Sequence, residues 1–486
     1  MIGLITNCKP FFNDICDEIR LFYMEKKIDD VPEAGESGLF VRVDVAEDND
    51  WRAVCEVISG GKTVYSYENS IPRKTGSALY VKKVKKRFVK NAVYALLKGY
   101  TGKKPAWGSL TGIRPTKLAR EFKSAMGGGA REFFINEFDV DECKAKLAFD
   151  IAVNQEPVIN AITAQDIDIY VGIPFCTSRC SYCSFVSREL KRSKGLTGKY
   201  LNALENEMRG AKELLAGRNV RCVYVGGGTP TALSPEELSR LFGAMRETFG
   251  GGIEFTVEAG RPDTIDSEKL RVIREANATR ICVNAQTTNP ETLKRIGRTY
   301  EPGEFDRAFR LVREYGFDNV NTDIILGLPG EKLEDVRRTL MDVCSYRPEN
   351  VTVHTLAIKN AAALTLEGAA EFADAAEVYE MVEFSRRFLE DIGYIPYYLY
   401  RQKYMAGNLE NVGYALPDRI CEYNIDIMEE LVDNLSFGAG AMSKRIFHGQ
   451  NRIERSCNIR DIGMYIDKID EMIERKRLLF FLRKEK

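Results

Sequence analysis

The sequence predicts an α/β protein whose centre is an open, partial parallel barrel of about six strand–helix units. An N-terminal α+β domain and a mainly helical C-terminal region are expected on either side of it. Three observations lead there. Short apolar, β-branched runs recur between residues 161 and 360. Amphipathic helical stretches separate them. About six such units are too few to close an eight-unit barrel.

In chain order, residues 1–160 open with strand-like runs at Leu39–Val45, Trp51–Ile58 and Thr63–Tyr67, the last two joined by the turn Ser59-Gly60-Gly61. A basic helical segment follows at about Val81–Lys98. Its run of Lys82, Lys83, Lys85, Lys86 and Arg87 reads as a solvated helix face, or as a docking patch for an acidic electron donor. A loop at Trp107–Lys117 leads into helices that run to about Asn160. The barrel strands are placed at Ile167–Ile173, Arg221–Val225, Ile253–Glu258, Arg280–Asn284, Val320–Leu326 and Asn350–Leu356. Helices lie between them, for example Thr197–Leu215, Pro235–Phe249 and Leu333–Cys344. Residues 361–486 form a region expected to cover the substrate. It begins with a helix at about Glu371–Asp391 and ends with a charged one at about Asp461–Arg477. Between them lies a tyrosine-rich stretch, residues 393–404, that could be a lid or could be packing between domains.

Bulk properties exclude several function classes. A chain of 486 residues suits two or three domains and can bury a large core without staples. Lys plus Arg number 70 against 71 Asp plus Glu, so no global field draws the chain to nucleic acid or acidic lipid. The N-terminus lacks a basic stretch followed by a long apolar run, and no apolar run approaches bilayer length. A cytoplasmic monomer without a membrane span is expected. Only His354 and His448 are histidines, which excludes a His-rich zinc site. Outside one cluster, the 12 cysteines are scattered singly and read as buried thiols.

That cluster carries the chemistry. In Tyr170-Val-Gly-Ile-Pro-Phe-Cys176-Thr-Ser-Arg-Cys180-Ser-Tyr-Cys183, three cysteines follow the first barrel strand at C-x3-C-x2-C spacing. Four cysteines are the usual complete set for a cubane iron–sulfur cluster. Three would leave one iron open to a small-molecule ligand. Three ligands of a zinc site completed elsewhere are the rival reading. After the second strand, Gly226-Gly227-Gly228-Thr229 leaves backbone bare for close approach. Glu258, Gln286 and Arg298 fall at or after later strand ends, and Asp323 sits inside an otherwise apolar strand. A charge there is costly unless paired, and Arg298 could be its partner.

The cysteine loop resembles the radical S-adenosylmethionine (SAM) superfamily. Further motifs resemble the oxygen-independent coproporphyrinogen III oxidase (dehydrogenase) family: Gly-Gly-Gly-Thr-Pro-Thr, the Gln286 and Arg298 spacing, and Asp323-Ile-Ile-Leu-Gly-Leu-Pro-Gly. The Trp107–Lys117 loop and the stretch from Tyr398 to Tyr414 resemble its HemZ-like branch. The resemblance implies a [4Fe-4S] cluster on Cys176, Cys180 and Cys183, and one or two SAM molecules. Tyr170, Gly227 and Glu258 would serve the cluster-bound SAM. Tyr182, Gly228, Thr229, Gln286, Arg298, Asp323 and Ala357 would serve a second. It also implies oxidative decarboxylation of two propionates of coproporphyrinogen III to vinyls, giving protoporphyrinogen IX in haem biosynthesis. A tetrapyrrole substrate and a reduced flavodoxin or ferredoxin-like donor follow from it. Two positions depart from the best-characterised oxidases. Gly172 stands where they carry His, and Phe185 where they carry a fourth Cys; a Phe there is shared with related haem chaperones. A haem-trafficking protein, or a radical SAM enzyme acting on another tetrapyrrole, therefore stays as an alternative.

Overall fold

The computed structural model describes residues 1–486 apart from 25, 113, 194, 252–253, 299–300, 302, 358–372, 403–404, 451 and 482–486. Two compact units emerge, residues 1–149 with 401–404, and residues 150–400 with 405–486.

The first unit is a five-stranded sheet covered by helices. Its strands are β1 (Ile2–Thr6), β2 (Ile28–Asp30), β3 (Leu39–Glu47), β4 (Asp50–Ser59) and β5 (Lys62–Pro72), in spatial order β2-β1-β3-β4-β5. Trp51, Val41, Val43 and Val57 on one sheet face pack with Ile15 and Ile19 of α1 (Phe12–Phe22) and with Val89, Val93 and Leu97 of α2 (Ala78–Thr101). Ser77 caps the start of α2 and Gly102 ends it in the left-handed conformation. The basic run on α2 is spent locally: Lys83 meets Glu121, Lys85 meets Glu47, Lys86 meets Asp14 and Arg87 meets Glu137. Four of the five basic residues of the run thus have an acidic partner nearby. The helices α3 (Pro115–Met126), α4 (Ala130–Phe138) and α5 (Glu142–Asn154) follow.

The second unit opens with the end of α5, followed by α6 (Glu156–Asn160), and is organised by one long sheet. Six strands of the alternating strand–helix region run parallel at its centre, β6 (Asp166–Ile173), β9 (Asn219–Gly227), β10 (Glu254–Glu258), β11 (Arg280–Cys282), β12 (Val320–Leu326) and β13 (Asn350–Thr355), and a later strand extends them in parallel beside β6. The intervening β7 (Phe175–Cys176) and β8 (Arg188–Glu189) make a separate small ribbon. Helices α7 (Leu196–Gly210), α8 (Pro235–Phe249), α9 (Ser267–Glu275), α10 (Pro290–Arg295), α11 (Glu304–Glu314) and α12 (Leu333–Ser345) fall between the strands. The helix α8 shows why: Ser234 and Glu237 form a capping box, Pro235 opens the first turn, and Leu238, Leu241, Phe242, Met245 and Phe249 make one buried stripe. This stripe packs on Ile169, Val171, Val223, Val225 and Val257, the outer sheet face. Pairing register then puts Asp168, Tyr170 and Gly172 of β6, Cys222, Tyr224 and Gly226 of β9, and Glu254, Thr256 and Glu258 of β10 together on the opposite, inner face. The result is the expected partial barrel.

The last region holds more strand than expected. The helix α13 (Ala375–Asp391) and the final pair α15 (Ile462–Asp467) and α16 (Ile469–Phe480) lie near their expected places. The start of α13 expected near residue 371, and the boundary expected at 360, lie outside the described residues. Among the described residues, β14 (Ile395–Tyr400), β15 (Asn411–Ala415), β16 (Asp433–Phe437), β17 (Met442–Phe447) and β18 (Arg452–Cys457) all join the central sheet, with α14 (Glu422–Glu429) between β15 and β16. Residues 395–400 of the tyrosine-rich stretch form β14, where Tyr397 and Tyr398 are buried and paired into the sheet through β15. No helix among the described residues is long and apolar enough to cross a membrane.

Candidate functional site

The cysteine loop is tied at both ends. Phe175 and Cys176 pair with Arg188 and Glu189, and the Arg188 N–H donates to Pro174 O at 2.9 Å. Its middle is held by Cys183 N–H to Cys180 O at 3.1 Å and by Ser181 N–H to Ile296 O at 3.0 Å. Cys176 and Cys180 are buried and Cys183 is half-buried. Burial pushes the Cys176 and Cys183 thiols up; the Thr229 hydroxyl pulls Cys176 down, and the Phe185 amide and Arg179 pull Cys183 down. Thr229 Oγ1 donates to Cys176 Sγ at 3.4 Å, and the buried Arg261 guanidinium reaches Cys180 Sγ at 3.8 Å. These groups favour thiolates.

The donors fit a cubane better than a single ion. Among the described residues, the one acid or thiol trio close enough to share an ion is Asp168, Cys222 and Asp426. At least one pair of the loop sulfurs therefore stands more than 4.8 Å apart, wider than ligands of one zinc ion and compatible with sulfurs bound to different iron corners. The glycine strip fits as well. A Cβ on Gly228 would lie 2.6 Å from Phe175 O and 2.9 Å from Cys176 Sγ, and one on Gly226 would lie 2.8 Å from Glu258 Oε2. Gly227 has φ 112°, open only to glycine at low cost.

Beyond the strip, the inner face gathers polar groups. Tyr224 donates its hydroxyl to Glu258 Oε1 at 2.7 Å and stacks on Tyr170 at 6.3 Å. Burial pushes the Glu258 carboxyl up to about 7, against the pull of Tyr224 and with a push from Asp323. Burial, with the charge of Glu258, also raises the Tyr170 hydroxyl. Burial works to raise Asp323, but His354, Asn321 and Thr352 together hold it below its ordinary range. His354 Nε2 lies 3.7 Å from Asp323 and its Nδ1 lies 3.3 Å from the Tyr400 hydroxyl. Gln286 sits at φ 65°, a conformation most side chains avoid, fixed by its N–H to Asp323 O and by its carbonyl accepting from Ile325. Its Oε1 is buried without a hydrogen-bond partner, so a ligand donor would complete it.

Arg298 donates to Asn284 O at 2.7 Å and to Gly260 O at 3.1 Å. The ion-pair partner shown for Asp323 is His354, which answers the sequence suggestion that Arg298 plays that role. Tyr182 lies against Ile296, Ile325, Leu328 and Leu356; burial raises its hydroxyl, and Arg298 opposes the rise. Ala357 lies just past β13, in an antiparallel bridge with Met405. Sequence reasoning missed Tyr224, Arg261 and Asn284. Tyr224 was findable, two residues before Gly226 on the same strand face; Arg261 follows Glu258 in a Gly-Arg-Pro turn that carries no signal of its own.

Comparison with known proteins agrees with this geometry. A model of the radical SAM superfamily matches residues 170–343. The oxygen-independent coproporphyrinogen-III oxidase-like protein HemZ of Bacillus subtilis (strain 168) is 38% identical over 393 residues, 78% of this chain and 78% of that protein. The heme chaperone HemW of the same organism is 28% identical over 308 residues, 62% of this chain and 76% of that one. Among solved structures, coproporphyrinogen III oxidase (HemN) from Escherichia coli, a radical SAM enzyme, superposes with a TM-score of 0.53 at 24% identity, covering 66% of this chain and 73% of that one. That likeness bears on the fold.

Proposed function

The chain belongs to the radical SAM superfamily and, within it, to the HemZ-like branch of the oxygen-independent coproporphyrinogen III oxidase family, and from that premise we propose that it decarboxylates propionate side chains of coproporphyrinogen III oxidatively. Members of the superfamily use a [4Fe-4S] cluster and SAM. The observation that carries the proposal is the meeting of the two motifs: the glycine strip packs so tightly on the cysteine loop that a single methyl group at Gly228 has no room.

Cys176, Cys180 and Cys183 are the proposed cluster ligands. Held there, a [4Fe-4S] cluster and SAM would supply the radical hydrogen-abstraction chemistry needed at the propionate β-carbon. The residues of the chain do the rest. Arg261 and Thr229 hold the thiolates. Glu258, as a carboxylate oriented by Tyr224, receives the SAM ammonium, and Tyr170 forms the floor beneath it. Asp323 and Gln286 offer acceptors to ribose hydroxyls, and Tyr182 with its apolar neighbours offers a face to a purine. These three, with Gly228, Thr229, Arg298 and Ala357, are proposed for a second SAM, and Gly227 joins Glu258 and Tyr170 for the cluster-bound one. A reduced flavodoxin or ferredoxin-like protein is the proposed donor.

A second reading, haem trafficking, is favoured by Phe185, which is 68% exposed where oxidases carry a fourth cysteine, and by the similarity to HemW. One anaerobic assay separates the two. Reconstituted protein is reduced with dithionite and given SAM and coproporphyrinogen III, and deoxyadenosine, carbon dioxide and protoporphyrin are followed together. All three rise if the proposal holds. Deoxyadenosine without carbon dioxide moves the substrate to another tetrapyrrole. No SAM cleavage, with tight stoichiometric haem binding, replaces the proposal by the second reading.

A further inference from the structure

Below the SAM site, at the amino-terminal end of the same inner face, lies a charged layer that the proposed reaction does not use. Asp168 of β6 and Cys222 of β9 project from the sheet, and Asp426 of α14 closes on them from the other side. Asp168 and Cys222 are 0% exposed and Asp426 is 1% exposed. One carboxylate oxygen from each aspartate and the cysteine sulfur lie within 4.8 Å of one another. Both oxygens of Asp168, and Oδ1 of Asp426, are buried with no hydrogen-bond partner at ordinary geometry.

Such an arrangement is costly as it stands. An ionised carboxylate away from water needs a counter-charge or several donors. The neighbouring cations compensate only part of this charge. Arg221 Nε meets Asp426 Oδ2 at 2.9 Å and its Nη2 meets Glu422 at 2.5 Å. Arg280 meets Glu254 at 3.3 Å. Arg221 therefore grips one oxygen of Asp426 and leaves the other directed at Asp168 and Cys222. This is how a neighbouring residue orients a metal-binding carboxylate.

We infer that Asp168, Cys222 and Asp426 bind one divalent zinc-type metal ion. The donor set selects the class. Calcium and magnesium demand shells of oxygen, whereas a thiolate beside two carboxylates suits zinc, with sulfur at about 2.3 Å and oxygen at about 2.0–2.2 Å. A dication would also balance the acids that Arg221 and Arg280 leave uncompensated. The site is structural: it pins α14 beneath the barrel. Its influence reaches the SAM pocket through rings, because Tyr423 of α14 stacks on Tyr224 at 4.6 Å and Tyr224 holds Glu258.

Elemental analysis of the whole protein tests this, since zinc and iron are counted separately. Wild-type protein is expected to carry about one zinc per chain, through a mild chelator wash, whatever its iron content. X-ray absorption at the zinc edge is expected to show one sulfur with the remaining ligands oxygen. Asp168→Asn and Cys222→Ser lose the zinc, and Cys180→Ala keeps it. Absence of zinc from wild-type protein overturns the inference. So does zinc retained in both Asp168→Asn and Cys222→Ser, or a spectrum with three sulfurs and zinc lost in Cys180→Ala, which places the ion on the cysteine loop. If Asp168→Asn does not fold, the ligand count in the wild-type spectrum still decides.

Discussion

Gly228→Ala is the sharpest probe of the proposed cluster–SAM junction. The new methyl would stand 2.6 Å from Phe175 O, 2.9 Å from Cys176 Sγ and 3.0 Å from Phe175 N, where ordinary contacts begin at 3.4 Å. The carbonyl must therefore retreat by about 0.8 Å, the difference between 3.4 and 2.6. It cannot do so freely, because Phe175 O accepts from Thr229 N–H at 2.8 Å and the Gly228 N–H donates to Ile173 O at 2.8 Å. Forcing a methyl into such packing costs about 1–3 kcal/mol. The strain falls on the loop rather than on the sheet, so it appears as weaker ligand binding, about 5- to 150-fold in the SAM dissociation constant at 1.4 kcal/mol per decade. Gly243→Ala is the control. It lies in α8 with open space around the new methyl, and is expected to stabilise the protein by about 0.5–1 kcal/mol. The assay is SAM binding by equilibrium dialysis after anaerobic reconstitution, with iron content and thermal midpoint for both variants. Wild-type SAM affinity in Gly228→Ala, with a full complement of iron, would refute the junction.

Cys180→Ala should abolish SAM cleavage and strip the cluster iron while the far-UV circular dichroism stays that of wild type, because the cysteine lies in a loop outside the sheet strands; retained iron would rule it out as a ligand. Glu258, pushed up to about 7, must be ionised to receive an ammonium. SAM binding should tighten by about tenfold between pH 6 and 8, and Glu258→Gln should flatten the profile; an unchanged slope in the variant assigns the titration elsewhere. Glu331, 2% exposed and fixed by Thr287 at 2.5 Å, is raised by burial from 4.5 to about 7. Its folded state binds the extra proton, so stability falls as pH rises from about 4.5 to about 7, by about 3 kcal/mol at 1.36 per pH unit. Denaturant unfolding of Glu331→Gln should show most of that slope removed, and an equal slope in both proteins would place the charge cost elsewhere.

Legibility in the sequence followed from how local each signal was. The six parallel strands were readable because strands covered by helices carry β-branched residues on the packed face, such as Ile169, Val171 and Val225. The parallel strand β16, Asp-Asn-Leu-Ser-Phe, was not, because Asn434 and Ser436 occupy its other face and dilute the run. The hairpin β17–β18 was hidden by charges that look like loop in isolation: Glu454 lies on the edge strand, where charge is acceptable, and the buried Arg445 donates to the carbonyls of Leu479 and Phe480. At the site, Cys176, Cys180, Cys183 and the glycine strip are contiguous and announced themselves. Arg261 meets Cys180 across 81 positions, and the zinc-type trio joins residues 168, 222 and 426, so only the fold brings them together.

A rule of period two connects these two outcomes. Counting back by two from the pocket residues stays on the inner face: Gly172 leads to Tyr170 and Asp168, Gly226 to Tyr224 and Cys222, and Glu258 to Thr256 and Glu254. The upper layer of this series holds the proposed SAM contacts. The middle layer holds the stacked tyrosines that position them, and the lowest layer holds the buried acids, thiol and arginines. Strands that looked uniformly apolar by their outer residues thus carry a polar column on the alternate positions. A barrel whose interior served only as packing would fill those positions with branched aliphatics. That they hold Asp168, Cys222, Glu254 and Arg280 instead means the interior is kept polar down to its floor, where an unbalanced charge would undermine the tyrosine stack and, through it, the orientation of Glu258.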